Sequence, residues 1–160
     1  MNKTKFSRLF AAVCLASVGM NPVWADTKTS SFDARVQVSA TCGLTSSDLG
    51  FPAVTTGNLS NVDTTSSLTV VCSSGTPYQI RLSEGANFNA TRRMAWGSNF
   101  ISYDIFSDSA RTQSWSANSV VQGVGSGASQ QVPVFGRIFS GQSVPNTGAY
   151  ADTIVATISY

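Results

Sequence analysis

The chain has 160 residues, of which 42% are hydrophobic and only 11% are charged, with ten basic residues against eight acidic ones. This apolar content excludes a charged disordered chain, and the small charge surplus gives no reason to expect a nucleic-acid partner. The sequence contains no histidine, which excludes Ser-His-Asp and Cys-His catalysis and every His-ligated metal site.

The first 25 residues have the pattern of a secretory signal peptide. A basic segment over residues 1–8 precedes an uncharged, mostly apolar run over residues 9–20, which is too short to span a bilayer. Val23 and Ala25 supply the small residues of a cleavage site, so we predict cleavage after Ala25. Cleavage would remove three of the ten basic residues and leave a nearly neutral mature chain, residues 26–160.

The longest predicted strand comes first in the mature chain. Apolar side chains alternate with polar ones at Phe32, Ala34, Val36, Val38, Ala40 and Cys42. A strand near a free terminus can pair with its own domain or with the open edge of another molecule. The alternation alone leaves both interpretations open.

Two of the three cysteines remain in the predicted mature chain. Cys14 lies in the predicted signal peptide, so the mature chain keeps the pair Cys42 and Cys72. An even pair in an exported chain predicts a disulfide. Free or metal-binding thiols are the alternative, although two cysteines without histidine cannot complete a four-ligand zinc site.

Further period-two runs follow along the chain, and they cover residues 68–72, 78–82, 101–105, 132–138 and 154–160. Clusters of Gly, Pro, Asn and Ser separate them, and no window sustains an apolar stripe with helical spacing. Many short strands with turn signals between them predict a single all-β sandwich or barrel.

Several short blocks, in this order and with the cysteine pair, resemble the spore coat protein U domain family. They are residues 38–42 (VSATC), 48–51 (DLGF), 68–72 (LTVVC), 75–78 (GTPY), 93–94 (RM), 101–108 (ISYDIFSD), 134–138 (VFGRI) and 148–160 (GAYADTIVATISY). The resemblance extends from about Phe32 to Tyr160. One departure is the order Gly50-Phe51-Pro52, because Pro52 cannot donate to a strand ladder and should end pairing there.

The family includes Csu-type pilus subunits of the archaic chaperone–usher pathway, so the resemblance implies an incomplete immunoglobulin-like β-sandwich completed by a donor strand from a neighbouring subunit. Residues 26–41 would then be the donor segment and residues 42–160 the sandwich. The resemblance implies that four side chains enter the partner's groove: Phe32, Ala34, Val36 and Val38. It also implies a groove-edge strand, bound by chaperone or donor, with four residues facing one side: Ile154, Ala156, Ile158 and Tyr160.

The function implied by the resemblance is a structural subunit of a surface pilus that supports adhesion and biofilm formation. Its partners would be a periplasmic chaperone, an outer-membrane usher and neighbouring subunits, and it would reach the cell surface through the periplasm. The alternatives are a spore or cyst coat protein and a carbohydrate-binding tip adhesin. The sequence does not assign a place in the fibre or a bound surface.

The charged residues of the chain suggest no enzyme, and we expect no catalytic or metal site, no cofactor and no small-molecule substrate. The carboxylates Glu84, Asp104, Asp108 and Asp152 could in principle supply a pair for glycoside hydrolysis. Glu84, however, lies in a predicted turn, and no calcium-loop spacing is present. The basic segment over residues 92–94 is predicted to be a solvated turn.

Overall fold

The computed structural model of the chain describes residues 25–144 and 146–160. The predicted signal peptide, residues 1–25, lies outside the described residues except for Ala25, so its cleavage stays a prediction. No helix in the described part of the chain is long and apolar enough to cross a membrane.

The described residues form ten β-strands, which confirms the all-β prediction. They are β1 (Cys42–Ser46), β2 (Gly57–Asn58), β3 (Val62–Cys72), β4 (Pro77–Leu82), β5 (Arg92–Trp96), β6 (Asn99–Phe106), β7 (Val121–Val124), β8 (Ser129–Ile138), β9 (Ser143–Val144) and β10 (Ala156–Ser159). The alternating runs at residues 68–72, 78–82, 101–105 and 132–138 all lie within these strands. The short strands β2, β5, β7 and β9 carry too little alternation to be predicted.

The strands form a sandwich of the immunoglobulin-like type. One sheet has five strands in the order β1-β3-β8-β6-β5, the other has three in the order β10-β4-β7, and β2 pairs with β9 in a small ribbon. Each named pair is antiparallel. Antiparallel strands need only short connections, which agrees with the turn signals spaced along the sequence.

The core lies between the two sheets because alternate residues of each strand point inward. In β4, for example, Tyr78, Ile80 and Leu82 are buried while the residues between them are exposed. Trp115, in the loop after β6, is 1% exposed, and its indole nitrogen donates to the Ile80 carbonyl at 3.1 Å. That bond satisfies the indole's only polar atom and ties the loop to the three-stranded sheet.

The prediction of a solvated turn at residues 92–94 is wrong, because these residues belong to β5 and the side chain of Arg92 is 1% exposed. Its guanidinium donates to the carboxylate of Asp104 at 2.7 Å and to the carbonyls of Ser83 and Trp115 at 2.7 and 2.8 Å. A buried guanidinium is stable only when its donors are paired in this way. Sequence alone could not show that partners from three separate segments meet at Arg92.

The alternating run that begins at Phe32 is not a strand in this structure. Residues 25–41 contain no strand, and β1 begins at Cys42. Alternation gives a segment two distinct faces, but a strand forms only where a partner edge supplies hydrogen bonds. Residues 25–36 belong to a unit distinct from Gln37–Tyr160 and are exposed.

Candidate functional site: a groove between two sheet edges

Two strands at the same side of the sandwich have an edge that no other described strand covers. Within the described residues, β1 pairs only with β3, and β10 pairs only with β4. An uncovered edge presents backbone N–H and C=O groups that can accept another strand. The two strands approach each other, with some of their Cα atoms within 8 Å.

The two edge strands run in opposite directions. Cys42 at the start of β1 pairs with Cys72, and Ser159 at the end of β10 pairs with Gln79. Because a short turn joins Cys72 to β4, these residues all lie at one end of the sandwich, which we call the upper end. The opposite end, where β4 finishes at Leu82 opposite Ala156, is the lower end.

Between the edges lies a cavity of about 470 Å³, which we call the groove. Its wall is mostly apolar and combines side chains of both sheets: Leu68, Leu82, Met94, Ile105, Val134, Ile154 and Ala156. Six polar residues also line it: Ser46, Ser47, Asp48, Ser66, Asp152 and Thr153. An open apolar channel beside two uncovered edges suits an extended segment with alternating apolar side chains.

The predicted groove-edge residues are only partly brought together. Ile154 and Ala156 line the groove, and Ile158 is half-buried in β10. Tyr160 follows the strand, is 62% exposed and lines a separate hollow of about 680 Å³ with Tyr78. The predicted strand over residues 154–160 is therefore shorter in the structure, where it covers Ala156–Ser159.

A segment that sequence reasoning did not assign to the site forms the lower wall of the groove. After β1 the chain continues beside β3, where the Thr64 hydroxyl donates to the Gly50 carbonyl at 2.6 Å. This places Leu49 and Phe51 over Gly136, where an added Cβ would lie 2.9 Å from Phe51. The i, i+2 spacing of Leu49 and Phe51 is the pattern of two side chains on one face of an extended segment. Pro52 follows directly and has no N–H to donate, so the pattern is too short to predict a strand.

Asp152 anchors the chain just before β10. One carboxylate oxygen accepts a hydrogen bond from the Tyr103 hydroxyl at 2.8 Å, and the other accepts from the backbone and side-chain nitrogens of Asn87, both at 3.1 Å. Burial, followed by the nearby Asp152 carboxylate, raises the pKa of Tyr103 far above its ordinary value. Tyr103 therefore stays protonated and keeps donating to Asp152.

The predicted disulfide is confirmed, since Cys42 and Cys72 are bonded. The two residues are directly opposed in the β1–β3 ladder. The bond therefore fixes the first residue of the edge strand to the last residue of its neighbour. It holds the upper end of the β1 side of the groove in place.

The predicted donor side chains are far from buried. Phe32 is 92% exposed, and Val36 and Val38 are each 87% exposed, with Ala34 also exposed. Between Phe32 and Val36, Arg35 pairs with Asp33 at 2.7 Å through exposed side chains. Each of these three large apolar side chains therefore leaves apolar surface exposed to water within the described residues.

The carboxylates considered as possible catalytic groups each have structural partners. Asp104 accepts from Arg92 and, at 2.7 Å, from the Ser114 hydroxyl. Asp108 accepts backbone N–H bonds from Gln113 and Thr112, and these bonds lower the pKa of its carboxyl. Glu84 accepts a backbone N–H from Ala117 at 3.2 Å. Each of these carboxylates is therefore held by hydrogen bonds within the described structure.

The described residues thus form an immunoglobulin-like sandwich with a groove between two uncovered strand edges. A model of the Spore Coat Protein U domain matches residues 28–157. "Protein U" of Myxococcus xanthus is 30% identical, with 99% of this chain and 98% of that protein covered. The chain belongs to the spore coat protein U domain family.

The chain is also similar to a solved structure of a pilus subunit complex. The chain is similar to a chain in the crystal structure of the CsuC–CsuE chaperone–tip adhesion subunit pre-assembly complex from archaic chaperone–usher Csu pili of Acinetobacter baumannii. The identity is 27% and the TM-score 0.57, over 77% of this chain. The match spans only 40% of that solved chain.

Proposed function

We propose that this protein is a structural subunit of a surface pilus, assembled by the chaperone–usher pathway through donor-strand exchange, and that it supports adhesion and biofilm formation. The observation that carries the proposal is a complementary pair of features in one chain. An apolar groove lies between two uncovered strand edges, and the segment preceding β1 carries uncovered apolar side chains at alternate positions.

The donor segment is long enough to run past the whole of the edge strand. The four donor side chains lie within residues 32–38, a stretch of seven residues, whereas β10 covers the four residues Ala156–Ser159. Seven extended residues span about 23 Å. Full burial of one valine or phenylalanine side chain is worth about 1.5–3 kcal/mol, so Phe32, Val36 and Val38 together would contribute roughly 5–9 kcal/mol per junction.

The direction of the donor strand follows from the short connection to its own sandwich. Three residues separate Val38 from Cys42, which lies at the upper end of its own subunit. If the donor runs antiparallel to β10 of the neighbour, Val38 leaves that neighbour at its lower end. Upper and lower ends of successive subunits then meet, which gives a head-to-tail fibre that can grow without limit.

Insertion requires the groove to widen. A strand that pairs on both sides needs its two neighbours about 9.6 Å apart, twice the ordinary spacing. Some Cα atoms of β1 and β10 are closer than that, within 8 Å. Because the disulfide holds the start of β1, we propose that β10 and the residues before it move when a donor enters.

The proposed partners follow from the same surfaces. Uncovered edges beside an apolar groove invite aggregation, so the unassembled subunit needs cover. We propose that a periplasmic chaperone covers the groove and edges of the unassembled subunit, and that at an outer-membrane usher the donor segment of the next subunit replaces the chaperone. We also propose that a signal peptide over residues 1–25 directs export. No catalytic role is part of this proposal.

The test is a self-complemented chain. Residues 26–41 are moved from the N-terminus to follow Tyr160 through a short Asn-Gly turn, so that the segment can run antiparallel to β10. This variant should be a soluble monomer with cooperative unfolding in the absence of chaperone. The sandwich alone, residues 42–160, should aggregate or be degraded.

A matched control keeps the moved segment but reverses its pattern, with Val36 and Val38 exchanged for the polar residues beside them. It should behave like the sandwich alone. A stable monomer of residues 42–160, with no added segment, would refute the proposal. The natural mature chain must also be checked for a fold in which its own segment occupies its groove.

A coat protein is the second candidate, and the family model that matches the chain favours it. A coat protein without strand exchange would not give a ladder of polymers when unboiled material is run in SDS. A pilus subunit would give that ladder. A tip adhesin, the third candidate from the sequence, finds support only in the name of the solved neighbour.

A further inference from the structure

A further cavity lies next to the groove, and we call it the cleft. It has a volume of about 470 Å³ and lies between the loop after β4, the loop after β6 and Phe139, which follows β8. Tyr103 is common to the lining of the cleft and the groove. The volume falls within the range of about 300–1,000 Å³ that is ordinary for small-molecule sites.

Two phenylalanine rings lie in the lining of the cleft and remain open to water. Phe88 is 45% exposed and Phe139 is 40% exposed. The ring of Phe139 packs edge-on against Phe106 at a centroid distance of 6.5 Å, which fixes its orientation. A fixed, half-exposed ring offers an apolar face to the carbon–hydrogen face of a ligand.

The rest of the lining is polar and offers both donors and acceptors. It includes the carboxylate of Glu84, the hydroxyl of Ser116 and the amide of Asn118. Within the described residues the Asn118 side chain makes no hydrogen bond, and Glu84 uses one oxygen for a backbone N–H and keeps the other 3.9 Å from Arg92. Unused donor and acceptor capacity therefore remains in the cleft.

This chemistry selects the class of ligand. A sugar ring has apolar faces for the two phenylalanines and hydroxyls that both donate and accept, which suits the mixture of carboxylate, hydroxyl and amide. An ammonium ligand would use the rings and the carboxylate but could not use the donors. The buried charge of Arg92 also offsets part of the negative charge of Glu84 and Asp104. We propose that the cleft binds a neutral saccharide unit.

The test uses the exported mature chain, residues 26–160, recovered from the cell surface. Binding is screened on an array of neutral oligosaccharides built from glucose, galactose and N-acetylglucosamine, and the best binder is titrated by calorimetry. Phe88→Ala and Glu84→Gln should each weaken binding at least tenfold. Phe100→Ala removes a ring that is 39% exposed outside the cleft and should leave binding within twofold.

Three outcomes would overturn the proposal: no binding to any neutral oligosaccharide at millimolar concentration, binding that the cleft variants do not change, or binding of choline in place of sugars. The far-ultraviolet circular dichroism of each variant shows whether its fold is kept. The inference does not depend on the proposed function. Loss of the SDS-resistant ladder would count against donor-strand exchange and would leave the saccharide result standing.

Discussion

The substitution Val36→Asp tests the donor segment at its centre. Val36 is 87% exposed in the structure, so nearly its whole side chain is available for burial in a neighbour. Under donor-strand exchange the new carboxylate would enter an apolar pocket. The subunit's own sandwich should be unaffected, because the segment serves the next molecule.

The expected cost has two parts. Loss of a buried valine removes about 1.5–3 kcal/mol. A carboxyl with an ordinary pKa near 3.9 must also be neutralised in the pocket at pH 7, which costs about 4 kcal/mol at 1.36 kcal/mol per pH unit. The sum is about 6 kcal/mol, so donor affinity should fall by roughly 10⁴-fold.

The assay measures binding of a peptide of residues 26–41 to the chaperone-bound subunit, together with SDS-resistant polymer on the cell surface. Gln37→Asp is the matched control, because it adds the same charge at the neighbouring position, which faces away from the groove. It should leave affinity within a few-fold. Lowering the pH towards 4 should partly restore binding of the Val36→Asp peptide, since its protonated form enters the pocket without a charge.

Two results would refute the reasoning. If Val36→Asp abolishes the periplasmic monomer as well as the polymer, the segment belongs to its own sandwich. If Val36→Asp and Gln37→Asp weaken binding equally, the alternation does not set which side chains enter the groove. Normal monomer with lost polymer is the expected result.

Three further outcomes are expected in the self-complemented chain, each measured by urea unfolding. Replacing Cys42 and Cys72 together by Ala should lower the free energy of unfolding by about 3.6 kcal/mol, because the disulfide closes a loop with a sequence separation of 30. An unchanged urea midpoint of unfolding would contradict this. Arg92→Met should lower the free energy of unfolding by about 3–5 kcal/mol, since it leaves the carbonyls of Ser83 and Trp115 and the partly exposed carboxylate of Asp104 without the guanidinium. A smaller loss than for Arg93→Met would count against this. Two hydrogen bonds from Arg137 hold the pKa of Asp63 below its ordinary value, so their contribution is present above about pH 4 and is lost as the pH falls through the folded-state pKa. Asp63→Asn should therefore lose stability at pH 7 and show a weaker decline in acid than the parent chain.

Features that depend on local pattern can be predicted from the amino-acid sequence. Period-two alternation located the long strands of both sheets, because inward and outward positions of a half-buried strand differ in polarity along the chain itself. The pair Cys42 and Cys72 was predictable because an exported chain with two cysteines has one possible internal bond. The donor-like face at Phe32, Val36 and Val38 was equally visible, since it too is a local alternation.

Contacts between segments that are separate in the sequence could not be predicted and are seen only in the folded chain. Arg92 looked like part of a basic turn, yet partners from three distant segments surround it in the core. The alternation at Leu49 and Phe51 is too short to predict a strand or a place in the fold. In the structure, the hydrogen bond from Thr64 to Gly50 holds this segment beside β3, and both side chains line the groove. The run at Phe32 has the strongest strand pattern and forms no strand, because a ladder depends on a partner edge and the local sequence cannot supply one.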